Sequence, residues 1–234
     1  MKSMSKHVTR FWSEERSLTV FLILLIVEIF IIAPINRTGI ALGLVNNIFF
    51  SLLLLVGLLT MTRHKALQAV VMIVVAMAVA THWARLVFGV TGLDLLDSLL
   101  MLSCIIGFLV IVLWQVYREG PVTGHRVLGA VAGYLLLSVA FAVVFSLVEY
   151  LAPGSFQMPA ALSQAGEPHG RLFYYFSVVT LTTTGYGDIT AVNPFARTFV
   201  MMEALIGQLY PAILIARLVS LHVEAKREKR AEHK

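Results

Sequence analysis

The sequence predicts an all-α integral membrane protein with six transmembrane helices and a short helix and loop re-entering the membrane between helices five and six. Three observations carry this. Hydrophobic residues make up 59% of the 234 residues and charged residues only 13%. Several apolar runs approach or exceed the roughly 18–20 residues that cross a bilayer as helix. Lysine and arginine gather at alternate ends of those runs. The runs lack the two-residue alternation of barrel strands, so helices are left as the way to satisfy every backbone polar group in lipid. The sequence leaves no room for a large soluble domain.

The spans are expected at Leu18–Ile35, Ile40–Met61, Ala66–Phe88, Leu93–Val116, Val127–Leu151 and Phe195–Leu221. Turn formers and charges at residues 36–39 and 62–65 end the first two spans. The first run contains Glu28 and lacks a small-residue cleavage site, so it is expected to be retained as a span. The single cysteine, Cys104, lies in an apolar run, where packing is its expected use, and no intrachain disulfide can form.

Of the 18 basic residues, fourteen fall on one set of span ends and four (Arg37, Arg85, Arg171 and Arg197) on the other. The positive-inside rule then places both termini in the cytoplasm and residues 152–193 outside. The basic balance is accounted for by membrane orientation, and nucleic acid is not expected as a partner.

Within the outside stretch, residues 171–182 are apolar and aromatic but too few to cross the membrane. Thr183, Thr184, Gly185, Tyr186, Gly187 and Asp188 follow directly. A helix entering from outside and returning as extended chain is tolerated only where protein or water surrounds it. Its C-terminal end points towards the membrane centre, where the partial negative charge of the helix dipole favours a cation. A potassium ion must exchange its water shell for oxygens at similar distance, so successive carbonyls must face one axis. An ordinary strand alternates them, and glycine reaches the backbone angles that break the alternation. Gly185 and Gly187 supply that freedom, the Tyr186 ring braces the loop, and the Thr183 hydroxyl adds an innermost ligand.

The segment Thr182–Asp188 resembles the selectivity filter of the tetrameric potassium channel family, and the resemblance extends over roughly residues 125–221. It implies an outer helix, a pore helix, a filter and an inner helix. Potassium ions are then held by the oxygens of Thr183, Thr184, Gly185 and Tyr186, with Thr182, Gly187 and Asp188 as filter support and outer mouth. In full, the expected fold class is an all-α integral membrane protein, six transmembrane helices with a re-entrant pore helix and selectivity-filter loop between helices five and six. Two positions depart from the family pattern. Thr184 stands where many members have valine, which keeps the backbone carbonyl. Val179 stands where some bacterial members have a glutamate, which removes a buried carboxylate able to bond Asp188. With one filter copy and no internal repeat, closing a ring takes four chains, so the expected partner is the chain itself as a homotetramer.

The sixth span contains Glu203, Gly207 and Pro211. Pro211 cannot donate to the carbonyl of Gly207 four residues earlier, which combines a missing hydrogen bond with the most flexible residue. Gly207 and Pro211 are therefore expected to form a gate hinge. Glu203 is read either as lying behind the filter, paired with Tyr174, Arg197 or a backbone group in place of the absent glutamate, or as a snorkelling or interfacial carboxylate.

Residues 1–120 are expected to form a four-helix transmembrane domain and 121–221 the pore domain. Residues 222–234 are read as a short basic cytoplasmic tail with possible contact to anionic lipid heads. Six-span channels of the family often carry a voltage sensor in spans one to four, yet Leu93–Val116 holds no lysine or arginine, and its charges are Asp94 and Asp97. An outer ion pair such as Glu28–Arg85 would neutralise costly charges. His82 stands nearby as a candidate sensor of external acidity, and Asn46 and Asn47 are expected to bond across helices. The loop 153–170 carries no legible chemistry. No enzyme is expected, since no nucleophile constellation or metal-ligand cluster appears. A chain this compact suggests a bacterial inner membrane.

A fourth span without basic residues gives the membrane potential little to push. The conductance–voltage relation of the reconstituted protein should therefore be shallow. A steep curve carrying several gating charges would contradict this reading.

Overall fold

The computed structural model describes residues 19–32, 44, 47–49, 51–55, 65–88, 91–117, 124–159 and 169–232. The expected links 36–39 and 62–64, Asn46 and most of the second span lie outside them. So do the middle of the outer loop and the side chains of the basic tail.

The described chain is almost wholly helical: α1 (Thr19–Ile32), α2 (Lys65–Phe88), α3 (Asp94–Tyr117), α4 (Gly124–Leu151), α5 (His169–Leu181) and α6 (Pro194–Glu232). Residues 47–49 and 51–55 of the expected second span are also helical. Among the described residues, three helical stretches are long and apolar enough to cross a membrane: Asp94–Tyr117, Arg126–Leu151 and Pro194–Ser220. Thr19–Ile32, Val71–Arg85 and Leu172–Leu181 are shorter apolar helices. Helices α2 to α4 and the start of α6 lie within three residues of the expected span limits, whereas α6 runs on through the tail to Glu232.

Local chemistry explains the boundaries. Helix α4 stops before Pro153 and Gly154, and Gly154 adopts φ 82°, a conformation in which a side chain is strained. Helix α6 opens with Pro194 in its first turn, where a missing N–H costs nothing, and the side-chain oxygen of Asn193 accepts from the Phe195 amide at 2.8 Å. Glu28–Ile32, the end of α1, is wound as π-helix.

Three apolar clusters hold the described helices together, the smallest around Leu137, Leu181 and Tyr210. In the largest, Phe21 of α1 meets Phe108 of α3 edge-on, with ring centroids 5.9 Å apart. Ala132, Leu136 and Val139 of α4 join it, so it crosses the expected domain boundary. The second is aromatic. Phe145 of α4 lies 5.2 Å from Phe176 and 6.2 Å from Phe173 of α5, and 5.5 Å from Phe156 in the outer loop.

The outer loop is not featureless. Strand β1 (Phe156–Gln157) pairs antiparallel with β2 (Thr190–Ala191), placing Phe156 opposite Ala191. The Glu149 carboxylate accepts the amides of Gly154 and Phe156 at 2.8 and 3.2 Å. Ser155 O accepts the Val192 amide at 2.8 Å. The segment that follows the α5 loop is thus sewn to the C-terminal end of α4.

The ion pair at the C-terminal end of α2 differs from the expected Glu28–Arg85. Arg85 bonds both Asp94 and Asp97 of α3. Thr81 donates to Asp97 at 3.3 Å, and His82 Nδ1 lies 3.1 Å from its other oxygen. A tight turn separates Arg85 from the two aspartates in sequence, which makes them its nearest available anions. Glu28 is buried instead near Tyr174 of α5, and its Oε2 has no hydrogen-bond partner among the described residues. The expected cross-helix role of Asn47 passes to Ser51, whose hydroxyl accepts from the Trp83 indole at 3.1 Å.

Phe145 is fully buried at the centre of the aromatic cluster. Phe145→Ala should cost about 3–5 kcal/mol, read as a lower thermal unfolding midpoint of the detergent-solubilised protein.

Candidate functional site

Helix α5 and the loop after it occupy the positions read from the sequence. The chain turns back at Thr182, and the loop amides cap the helix end. Thr182 N donates to Val178 O at 3.0 Å, Thr183 N to Thr180 O at 2.9 Å, and Thr184 N to Val179 O at 2.9 Å. These bonds satisfy carbonyls that a helix C-terminus leaves without intrahelical donors.

Beyond the turn the backbone alternates. Thr183, Gly185 and Gly187 have φ of 57°, 55° and 76°, while Thr184 and Tyr186 remain at negative φ. Left-handed conformations at every second residue break the strand-like alternation of carbonyl directions. Thr183 takes this conformation without being glycine, which costs about 1–2 kcal/mol. Sequence reasoning assigned the freedom to the two glycines alone. Thr182 Oγ1 donates to Val178 O at 2.7 Å and lies 3.0 Å from Thr184 Oγ1, so both threonine hydroxyls are drawn together at the base of the loop. Residues 182–188 are exposed in the single chain, and the Tyr186 ring is 71% exposed. Within one chain, that ring does not brace the loop.

Asp188 is held by a residue the sequence reading missed. The hydroxyl of Tyr175, on α5, donates to Asp188 Oδ2 at 2.7 Å, and the Ile189 amide donates to Oδ1 at 3.0 Å. Val179 is buried and apolar, so this phenol makes the contact that a glutamate at 179 would offer. The signal was an aromatic residue on the short helix with a polar tip that needs a partner.

Glu203 does lie buried against the back of α5, but its partner is neither Tyr174 nor Arg197. It bonds Ser177, whose hydroxyl also donates to Ser138 O of α4 at 2.7 Å. Ser138, Ser177 and Glu203 are each at most 1% exposed. One polar node therefore joins outer helix, short helix and inner helix. A serine inside an apolar membrane segment was the available clue, since a buried hydroxyl needs a partner.

Gly207 and Pro211 sit one turn apart on α6, which remains helical through Pro211. A Cβ on Gly207 would stand 1.9 Å from Leu181 O and 2.7 Å from Leu181 C. The inner helix and the end of α5 thus meet backbone to backbone, and only glycine permits this. The sequence reading gave flexibility as the reason for Gly207, and the structure adds close approach. Beside it, the Tyr210 hydroxyl donates to Ala130 O at 2.8 Å and fills the space over Gly133.

Against known proteins, residues 170–224 match a family described as "Ion channel". Over 89 residues the chain is 40% identical to Two pore potassium channel c of Oryza sativa subsp. japonica, covering 37% of this chain and 18% of that protein. It is 38% identical over 60 residues to Potassium channel KOR1 of the same organism, covering 26% of this chain and 7% of that one. It is 32% identical over 88 residues to Protein LctB of Geobacillus stearothermophilus, covering 37% of this chain and 64% of that one. The chain thus spans less than two thirds of the length of each of these relatives. The family matched is one of channels and not of enzymes, in keeping with the sequence reading.

Gly207→Ala should destabilise the protein by about 1–3 kcal/mol or more, because the methyl can be accommodated only by moving the backbone at Leu181. Thermal unfolding measures the loss, and a Gly207→Ala protein as stable as wild type would show that the two helices separate freely.

Proposed function

We propose that this chain is one subunit of a homotetrameric, potassium-selective channel that conducts passively, a reading supported by the match of residues 170–224 to a family described as "Ion channel". The observation that carries the reading is the left-handed backbone at Thr183, Gly185 and Gly187 in a loop rooted on a short helix. Four such loops around one axis would present rings of oxygens from Thr183, Thr184, Gly185 and Tyr186 that replace the hydration shell of potassium. Asp188 then lines the outer mouth, with Thr182 and Gly187 supporting the loop.

Exposure within the single chain supports assembly. Most of α4 is covered, whereas few residues of Pro194–Ser220 of α6 are buried and more than half are exposed. Leu205, Leu209 and Ile213 are among the side chains left for lipid, a neighbouring copy or the pore. In this arrangement Tyr186 packs against the adjacent copy, and Gly207 with Pro211 forms the hinge of the inner gate. Residues 1–120 flank the pore as a sensor-like domain without gating arginines, and both termini face the cytoplasm of a bacterial inner membrane. The basic tail lies against anionic lipid heads.

A second reading, a less selective cation channel, is favoured by Thr184, whose hydroxyl contacts Thr182 where a valine would make no polar contact. Reversal potentials in mixed sodium and potassium separate the two. Purified protein in liposomes should take up rubidium, and the reversal potential should follow the potassium gradient. A reversal potential indifferent to replacing potassium by sodium would select the second reading, and absence of any flux would point to a non-conducting scaffold that retains the pore fold.

A further inference from the structure

Pro211 leaves the carbonyl of Gly207 without its helical donor. Leu181 is the last residue of α5, so its carbonyl is a helix-end acceptor with no intrahelical N–H. Both oxygens are reached by one group from a third helix. The Tyr134 hydroxyl of α4 donates to Leu181 O at 2.9 Å and makes a longer contact to Gly207 O at 3.4 Å.

We propose that Tyr134 is a positioning residue that ties the inner-helix hinge to the end of the short helix. A bend at Gly207–Pro211 is thereby transmitted to Thr182 and Thr183 at the start of the filter. The inference rests on the reading of residues 182–188 as a filter.

Three features make the arrangement specific. Close approach of Gly207 to Leu181 brings the two carbonyl-bearing backbones within reach of a single phenol, which any larger residue at 207 would prevent. The Tyr134 ring lies against the Tyr210 ring, with centroids 5.5 Å apart and planes tilted by 36°. Tyr210 immediately precedes Pro211 and is pinned to α4 through Ala130 O at 2.8 Å, so the phenol is held from the hinge itself. The hydroxyl carries one proton for two acceptors, and the shorter bond holds most of it. Displacing Gly207 O by bending the helix changes that share, and so changes how firmly Leu181 O is held one residue before Thr182.

A double-mutant cycle on the full-length protein tests this. Pro211→Ala restores a backbone N–H for Gly207 O, which removes one of the two acceptors from Tyr134. In the wild-type background, Tyr134→Phe should lower the potassium-to-sodium permeability ratio by roughly fivefold or more and lower the unfolding midpoint by about 2–8 °C. In the Pro211→Ala background both effects should shrink to less than about half. 4-Aminophenylalanine at position 134, which keeps a donor at the ring tip, should restore the wild-type ratio. Equal effects in the two backgrounds, or a Tyr134→Phe protein that matches wild type, would overturn the coupling. If Tyr134→Phe alone fails to fold, recovery of folded protein in Tyr134→Phe/Pro211→Ala supports the proposal and continued failure contradicts it. Should the wild-type protein carry no flux, the reading as a channel falls, while the unfolding cycle still decides the coupling of hinge and helix end.

Discussion

Holding a few residues in a backbone conformation that neither helix nor strand provides is the constraint on which the α4–α6 region depends. Left-handed φ at Thr183, Gly185 and Gly187, interleaved with ordinary φ at Thr184 and Tyr186, has no ladder of its own hydrogen bonds to sustain it. It persists only when surrounding structure over-determines it. At its base the loop amides fold back onto the end of α5. At its far end Asp188 is gripped by Tyr175, and the β1–β2 pairing anchors the departing chain to the top of α4.

The helix beneath the loop needs support as well, and the protein supplies it with polar contacts placed in an apolar setting. Ser177 joins Ser138 and Glu203 on one side of α5, while Leu181 meets Gly207 and Tyr134 at its end. Such contacts are directional, unlike the aromatic packing around Phe145, so they fix where α5 stands rather than merely that it is buried. Breaking one partner of a buried polar node leaves the other unsatisfied, which makes displacement costly. The inner helix carries two of these nodes, at Glu203 and Gly207, one turn apart and both facing α5. Movement of the inner helix is therefore mechanically close to the loop.

The α1–α3 region is built on a different principle. Its ion pairs lie where α2 gives way to α3, with Arg85, Asp94 and Asp97 neutralising one another. Helix α3, which follows, is apolar and uncharged after Asp97. An ion pair confined to one end of a helix hairpin stabilises that hairpin and offers little for a transmembrane field to move. The buried Glu28, within electrostatic reach of Tyr174 of α5, is the one described acidic residue of α1.

What the sequence determined by itself was whatever a residue imposes on its own backbone. The lengths of the apolar runs predicted helices, Gly185 and Gly187 predicted an irregular loop, and Pro211 marked an orphaned carbonyl. These rest on φ/ψ limits and a missing N–H, which travel with the residue wherever it lies. Partner choice was decided by tertiary structure alone. Arg85 meets Asp94 and Asp97 rather than Glu28, Glu203 meets Ser177 rather than Tyr174 or Arg197, and Tyr175 meets Asp188. Thr183 turns left-handed without being glycine, and Gly207 is required by the backbone pressed against it. Each of these outcomes depends on how helices are rotated and crossed against one another, and helices that are apolar around much of their circumference leave that rotation unspecified until they pack.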